Sequence, residues 1–135
     1  MLKNQEVGIK VKLAALWSSV TFCYLYGDYF ELYTPDKINS LITGENILDS
    51  PTKLLVASML LAIPSLMVAL SVVLGPKITR FLNILFGTLF TVMMIFIGVN
   101  SMVKWYSFYV FLAFLESAIT ITIVWYAYKW PKKSD

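Results

Sequence analysis

The sequence contains no histidine and only one cysteine, Cys23. These absences exclude the usual zinc sites, haem ligation by histidine and nucleophiles that a histidine activates. A single cysteine also cannot form an intramolecular disulfide. The six glycines are scattered along the chain and make no phosphate-binding loop. The sequence therefore predicts no catalytic residue and no metal site, and it does not favour an enzyme that acts alone.

Charged residues are scarce as well. They make up 14% of the chain, whereas an average soluble domain has about 25%, and hydrophobic residues make up 59%. Leu54–Leu74 and Phe81–Val99 contain no charged residue at all. Each is close to the roughly 20 apolar residues that cross the hydrocarbon core of a bilayer. The deficit of charge therefore lies where membrane-spanning helices require it.

Two further apolar stretches carry acidic residues. The first ends in Asp28 and Glu31, and the last contains Glu116 and has tryptophan and tyrosine at both ends. Aromatic residues in these positions are typical of the headgroup regions of a membrane. We predict an all-α fold, in which residues 1–135 form one polytopic membrane four-helix bundle. The predicted spans are about 12–33, 52–74, 77–100 and 105–129.

The orientation of the bundle follows from its basic residues, because short cytoplasmic loops are enriched in lysine and arginine. An inside N-terminus places most of these residues on one side of the membrane, and that side then carries Lys3, Lys10, Lys12, Lys77, Arg80, Lys129, Lys132 and Lys133. The opposite side carries Lys37, Lys53 and Lys104. We therefore predict a multi-pass protein of the cell membrane with both termini in the cytoplasm. No basic stripe indicates a nucleic-acid partner.

The first outer loop has signals of its own helix. Thr34 is a predicted N-cap, Pro35 suits the first helical position and Gly44 suits a left-handed C-terminal cap. Between them one apolar face is formed by Ile38, Leu41 and Ile42. We predict a short amphipathic helix at about residues 35–43, facing lipid or the mouth of the bundle.

Several short runs of residues are distinctive: 24–28 (YLYGD), 34–36 (TPD), 41–44 (LITG), 63–64 (IP), 115–116 (LE) and 123–127 (IVWYA). With these runs the chain resembles, over nearly its whole length, an uncharacterised family of small bacterial four-helix membrane proteins. That family is broadly similar to the DoxX-like proteins, some of which accompany quinone-linked redox enzymes. The resemblance implies a four-helix membrane fold and a quinone or lipid as ligand. Ala62 departs from the pattern, in which an acidic residue often precedes Ile-Pro.

Glu116 is the residue with the clearest chemical potential, because it falls near the middle of the last span. A charged side chain at that depth costs at least about 2.5–3.5 kcal/mol, so such residues usually face the interior of a bundle. An apolar environment favours the neutral carboxyl, so Glu116 is predicted to be neutral or to share its proton. It can then act as a proton carrier or ligand anchor. The alternative is a structural glutamate that hydrogen-bonds across helices.

The partners of Glu116 follow from depth and helical periodicity. Thr21 and Tyr24 lie at its level if the first span is centred near residue 22. One face of that span carries Trp17, Thr21, Tyr24, Asp28 and Glu31, and one face of the last span carries Tyr109, Ala113, Glu116 and Thr120. Opposing these faces predicts a hydrogen bond from Glu116 to Tyr24 or Thr21. The candidate ligand or proton site comprises Glu116, Tyr24, Thr21, Asp28, Tyr109 and Thr120.

Two features of the middle spans concern packing. Pro64 removes one backbone donor near the centre of the second span and is expected to bend it. The third span carries small residues along one side, in the series Gly87, Thr91, Ile95 and Gly98. Small residues of this kind let another helix approach closely. We interpret this side as a packing surface.

The sequence leaves three functions open. The leading hypothesis is a small membrane protein that binds an apolar molecule, a quinone or a lipid, within its bundle and serves as an accessory subunit of a membrane complex. The second is a proton-coupled small-molecule transporter that acts as a homodimer with Glu116 as the coupling carboxyl. The third is a purely structural membrane protein. Membrane lipids are expected partners in every case.

Overall fold

The computed structural model describes residues 2–131, and this part of the chain is helical and contains no β-strand. Five α-helices follow one another, and a short 3-10 turn at Lys104–Tyr106 precedes the last of them. Their bounds are α1 Ile9–Glu31, α2 Lys37–Thr43, α3 Pro51–Val73, α4 Pro76–Asn100 and α5 Ser107–Tyr128. The predicted all-α fold is confirmed.

Three segments are long and apolar enough to cross a membrane, namely Pro51–Val73, Pro76–Asn100 and Lys104–Tyr128. Helix α1 has 23 residues, as α3 has, but it is less apolar because it contains several serines, tyrosines and charged residues. A membrane location is therefore supported by three helices, and the crossing by α1 stays a prediction. Lys132 and Lys133, two of the basic residues predicted to lie on the cytoplasmic side, are outside the described residues.

The least apolar of the long helices packs against two of the others. Helix α1 packs against α3 and α5, and α5 also packs along α4, whereas α3 and α4 have few contacts with each other. The buried side of α1 includes Leu13, Trp17, Val20 and Tyr24, which are at most 8% exposed. Their spacing of three and four residues places them on one helical face. The four long helices thus surround a common core.

The closest helix pair is α4 with α5, and glycines make this approach feasible. A Cβ atom added at Gly87 would lie 2.7 Å from Val124 Cγ2, and one added at Gly98 would lie 3.2 Å from Ala113 Cβ. The predicted packing role of the small residues is therefore confirmed at these two glycines. Ile95, which was assigned to the same side, is 40% exposed and does not belong to this interface.

Helix α2 differs from its prediction at its start. Thr34 is not its N-cap, since Thr34 Oγ1 donates to the main-chain oxygen of Glu31 at 2.7 Å. The N-cap position is Asp36, which has a left-handed φ of 64° and makes no side-chain capping bond. The end was predicted correctly, because Gly44 adopts the left-handed conformation with φ 80°. The three residues of the apolar face are exposed in the single chain: Ile38, Leu41 and Ile42.

Basic side chains cap two helix ends at the end of the bundle opposite α2. Lys10 Nζ donates to the carbonyl of Leu74 at 2.6 Å, and Arg80 Nε donates to the carbonyl of Ala127 at 3.1 Å. The last carbonyls of a helix lack intrahelical donors and attract positive charge. These contacts join the N-terminal part of α1 to the end of α3, and α4 to the end of α5.

Candidate functional site: a cavity among the four long helices

A cavity of about 180 Å³ lies between α1, α3, α4 and α5, in the half of the bundle nearer α2. Its size is comparable to the engineered cavity of about 150 Å³ that binds benzene in another protein. The lining residues are Tyr24, Gly27, Asp28, Ala57, Leu60, Leu61, Met93, Met94, Ile97, Tyr109, Leu112 and Glu116. The cavity has room for one small ring or a short length of hydrocarbon chain.

The polar and apolar walls of this cavity come from different helices. Every polar side chain that lines it belongs to α1 or α5, and the residues from α3 and α4 are aliphatic or methionine. The polar groups are two carboxyls and two phenols, from Asp28, Glu116, Tyr24 and Tyr109. A largely apolar pocket with a few converging polar groups is the usual form of a small-molecule site.

Glu116 faces the interior of the bundle, as predicted. It is 5% exposed and lies on the same side of α5 as the buried residues Ala113 and Thr120. Thr120 Oγ1 donates to the main-chain oxygen of Glu116 at 3.1 Å. No described residue, however, forms a hydrogen bond with the Glu116 carboxyl. The carboxyl thus lines the cavity and is accessible from it, since the Tyr24 hydroxyl is the one fully buried side-chain polar atom without a partner among the described residues.

The predicted hydrogen bond from Glu116 to helix α1 is wrong. The Tyr24 hydroxyl is buried and has no hydrogen-bond partner among the described residues. Thr21 Oγ1 donates instead to the carbonyl of Trp17 in its own helix at 2.7 Å. Thr21 lies one position away from the buried face of α1, where a carbonyl four residues earlier offers a local acceptor. The Tyr24 ring is held by Phe90, with 5.9 Å between ring centroids.

Four of the six candidate residues line the cavity. Asp28 is exposed at its rim and Tyr109 is half-buried beside it, while Tyr24 and Glu116 lie deeper. Thr120 does not line the cavity. Its hydroxyl is hydrogen-bonded to that of Thr91, with 2.6 Å between the oxygens. Thr21 does not line it either. These two threonines act within and between helices rather than at the cavity.

Glu31 lies one helical turn beyond Asp28, and it is already paired. Its carboxylate forms an ion pair with Lys37 at 3.0 Å and accepts a hydrogen bond from the Tyr106 hydroxyl at 3.2 Å. These contacts connect the end of α1 to α2 and to the turn before α5. Glu31 and Lys37 therefore neutralise each other, and neither lines the cavity.

A buried polar network was not predicted from the sequence. Trp17 Nε1 donates to Asn83 Oδ1 at 2.7 Å, and Asn83 Nδ2 donates to the carbonyl of Thr79 at 2.7 Å and to Ser71 Oγ at 3.3 Å. Asn83 is completely buried. The sequence feature that could have predicted this network is an amide side chain inside an otherwise apolar span. Because its donors and acceptor are satisfied, this network joins α1, α3 and α4 and is structural.

Comparison with known proteins gives a family but no described relative. No curated protein and no solved structure matches the chain. A family of unknown function, DUF6326, matches residues 4–135. Since this match covers nearly all of the sequence, the chain belongs to the family DUF6326.

Proposed function

We propose that this chain is an integral membrane protein that binds a small, largely apolar molecule in the cavity among its four long helices. One observation carries the proposal: Glu116, 5% exposed, lines that cavity and has no hydrogen-bond partner among the described residues. A polar group that lines an apolar cavity and is not bonded to the protein is available to a molecule in that cavity. We therefore assign the Glu116 carboxyl as the anchor of the ligand.

The proposed topology has four spans and cytoplasmic termini. Helix α1 is included because it packs between α3 and α5, two helices that are apolar enough to cross a membrane. A helix in that position spans the same depth as its neighbours. The charge asymmetry of the sequence supports the orientation.

Two chemical classes of occupant suit the size and the aliphatic wall of the cavity: the ring of a quinone or part of a lipid chain. The weak packing between α3 and α4 leaves a route by which a longer tail reaches the lipid. The resemblance to DoxX-like proteins supports the quinone and an accessory role beside a redox enzyme.

The rival proposal is a proton-coupled transporter in which Glu116 exchanges a proton for a substrate. The position of Asp28 at the exposed rim favours it, because a second carboxyl marks a route from the surface to Glu116. The cavity, however, is lined by all four long helices of one copy, which favours binding within a single bundle. A purely structural role is less well supported, since Glu116 makes no interhelical hydrogen bond with the described residues.

The test compares two variants in which an alanine of α3 is replaced by leucine. Ala57 lines the cavity and Ala69 is exposed on the same helix. We expect Ala57→Leu to fill part of the cavity and to weaken binding of duroquinone, a ring-sized quinone, by about tenfold, whereas Ala69→Leu binds like the wild type. Binding is measured from the thermal unfolding midpoint of the protein purified in nanodiscs. Native mass spectrometry on the same samples detects co-purified molecules.

Two outcomes would contradict the proposal. One is a wild-type protein that binds neither duroquinone nor any co-purified molecule. The other is equal binding by the two leucine variants. Proton-driven uptake into vesicles that Glu116→Gln abolishes would favour the transporter instead.

A further inference from the structure

The charge of the cavity narrows the class of ligand beyond what its size and apolarity indicate. Its two carboxyls, on Asp28 and Glu116, are the only groups of formal charge among the twelve lining residues. No lysine or arginine of the described residues lines it. The nearest basic group on α2, Lys37, is already paired with Glu31 at 3.0 Å. The cavity is therefore acidic and has no counter-charge of its own.

The deeper carboxyl lacks a partner. Glu116 is 5% exposed and without a hydrogen bond to a described residue, and the Tyr24 hydroxyl beside the same cavity is also unpartnered. A buried carboxylate needs a positive charge and hydrogen bonds to be stable in an apolar environment. Without such a charge the carboxyl stays neutral, and a cationic ligand would supply the charge that the lining residues lack.

Aromatic rings complete the set of groups that recognise a cation. Tyr24 and Tyr109 both line the cavity, and the faces of such rings stabilise ammonium groups when water is excluded. A metal ion is a poorer fit, because residues 2–131 contain no group of three or more Cys, Asp or Glu that could hold one. The aliphatic wall from α3 and α4 suits the hydrocarbon part of an organic molecule.

We propose that the ligand is a small organic cation, an apolar body that carries one ammonium group. The ammonium contacts Glu116 and the tyrosine rings, and the hydrocarbon part packs against Leu60, Met93 and Ile97. Asp28 at the rim attracts the cation as it enters. This inference rests on the proposed function, since it names the chemical class that the same cavity binds.

The test uses two probes of the same shape that differ in charge. Benzyltrimethylammonium and neopentylbenzene have equivalent skeletons, with a positive nitrogen in the first where the second has a carbon. We expect the wild-type protein in nanodiscs to bind the cation about tenfold more tightly than the neutral probe. Glu116→Gln should bring the ratio of the two affinities close to one, and this ratio, rather than either affinity alone, is the readout. The matched control is Glu6→Gln, which changes an exposed carboxyl outside the cavity.

Asp28→Asn provides a second variant, because Asp28 is exposed and its change does not disturb the core. It should lower the affinity for the cation severalfold. Equal binding of the two probes, or binding of neopentylbenzene alone, would overturn the cation inference and leave the apolar-ligand proposal standing. Binding of neither probe by folded wild-type protein would also overturn the cation inference, and the duroquinone measurement then decides whether the apolar-ligand proposal stands.

Discussion

Asn83 shows how a single buried amide can connect three helices. It is 0% exposed, accepts a hydrogen bond from Trp17 of α1 and donates to Ser71 of α3. Its own helix supplies the third partner, the carbonyl of Thr79. Glu116 differs, because its carboxyl forms no hydrogen bond with the described residues and lines the cavity. The contacts of Asn83 therefore indicate a structural role for its side chain.

We predict that Asn83→Leu destabilises the bundle by about 1–3 kcal/mol, because Trp17 Nε1 would remain buried without an acceptor. The double variant with Trp17→Phe should lose less than the sum of the two single changes, since no unpaired donor is left. Unfolding of the purified protein in detergent, followed by circular dichroism, measures these differences. Asn100→Leu, at an exposed position of α4, is the control. Additive effects in the double variant would contradict this account.

At the scale of the helix, the close packing of α4 against α5 depends on the absence of a side chain at Gly87. A Cβ atom on Gly87 would lie 2.7 Å from Val124 Cγ2 and 3.5 Å from the Thr120 carbonyl. Valine cannot move its methyl groups away easily, because its χ1 angle is restricted in a helix. Even one added methyl group therefore requires the two helices to separate or Val124 to change its rotamer.

We predict that Gly87→Ala destabilises the protein by about 1–3 kcal/mol, although alanine favours a helix more than glycine does. Adding Val124→Ala to this variant should restore most of the loss, since it removes the methyl group that collides. The matched control is Gly8→Ala, because nothing lies within 4 Å of a Cβ atom added there. The thermal unfolding midpoints of these variants in detergent measure the differences in stability. A neutral Gly87→Ala, or no recovery with Val124→Ala, would be evidence against close packing at this point.

At the scale of the whole molecule, the topology depends on α1. This helix is the least apolar of the four long ones and is not among the three segments whose composition suits a membrane span. Its packing against both α3 and α5 nevertheless places it inside the bundle. If α1 crosses the membrane, α2 and the N-terminal segment lie on opposite sides.

We predict that single cysteines introduced in a Cys23→Ala background report four crossings. Glu45→Cys should react with an impermeant maleimide added outside intact cells, whereas Lys3→Cys and Lys129→Cys should react only after the membrane is opened. The expected orientation follows from the excess of basic residues on the side of the termini. Labelling of Glu45→Cys and Lys3→Cys from the same side would show that α1 does not cross and would refute the four-span topology.

The sequence by itself determined the all-helical fold, the helix bounds to within a few residues and the inward orientation of Glu116. These features follow from local periodicity and from the cost of placing polar groups against lipid, both of which can be read along one chain. The left-handed cap at Gly44 was equally predictable, because few other residues adopt a positive φ without strain.

Only the tertiary structure decided which side chains meet. The buried face of α1 shares Trp17 and Tyr24 with the predicted polar stripe, but it continues through Val20 and Gly27. Thr21 therefore bonds its own helix, and the Tyr24 hydroxyl has no partner among the described residues. The aliphatic wall from α3 and α4, the contacts of Asn83 and the cavity beside Glu116 depend on how four helices rotate against one another. That rotation is set by the summed packing of many side chains, of which Gly87 against Val124 is one. The rotation of the helices therefore cannot be predicted from any local pattern in the sequence.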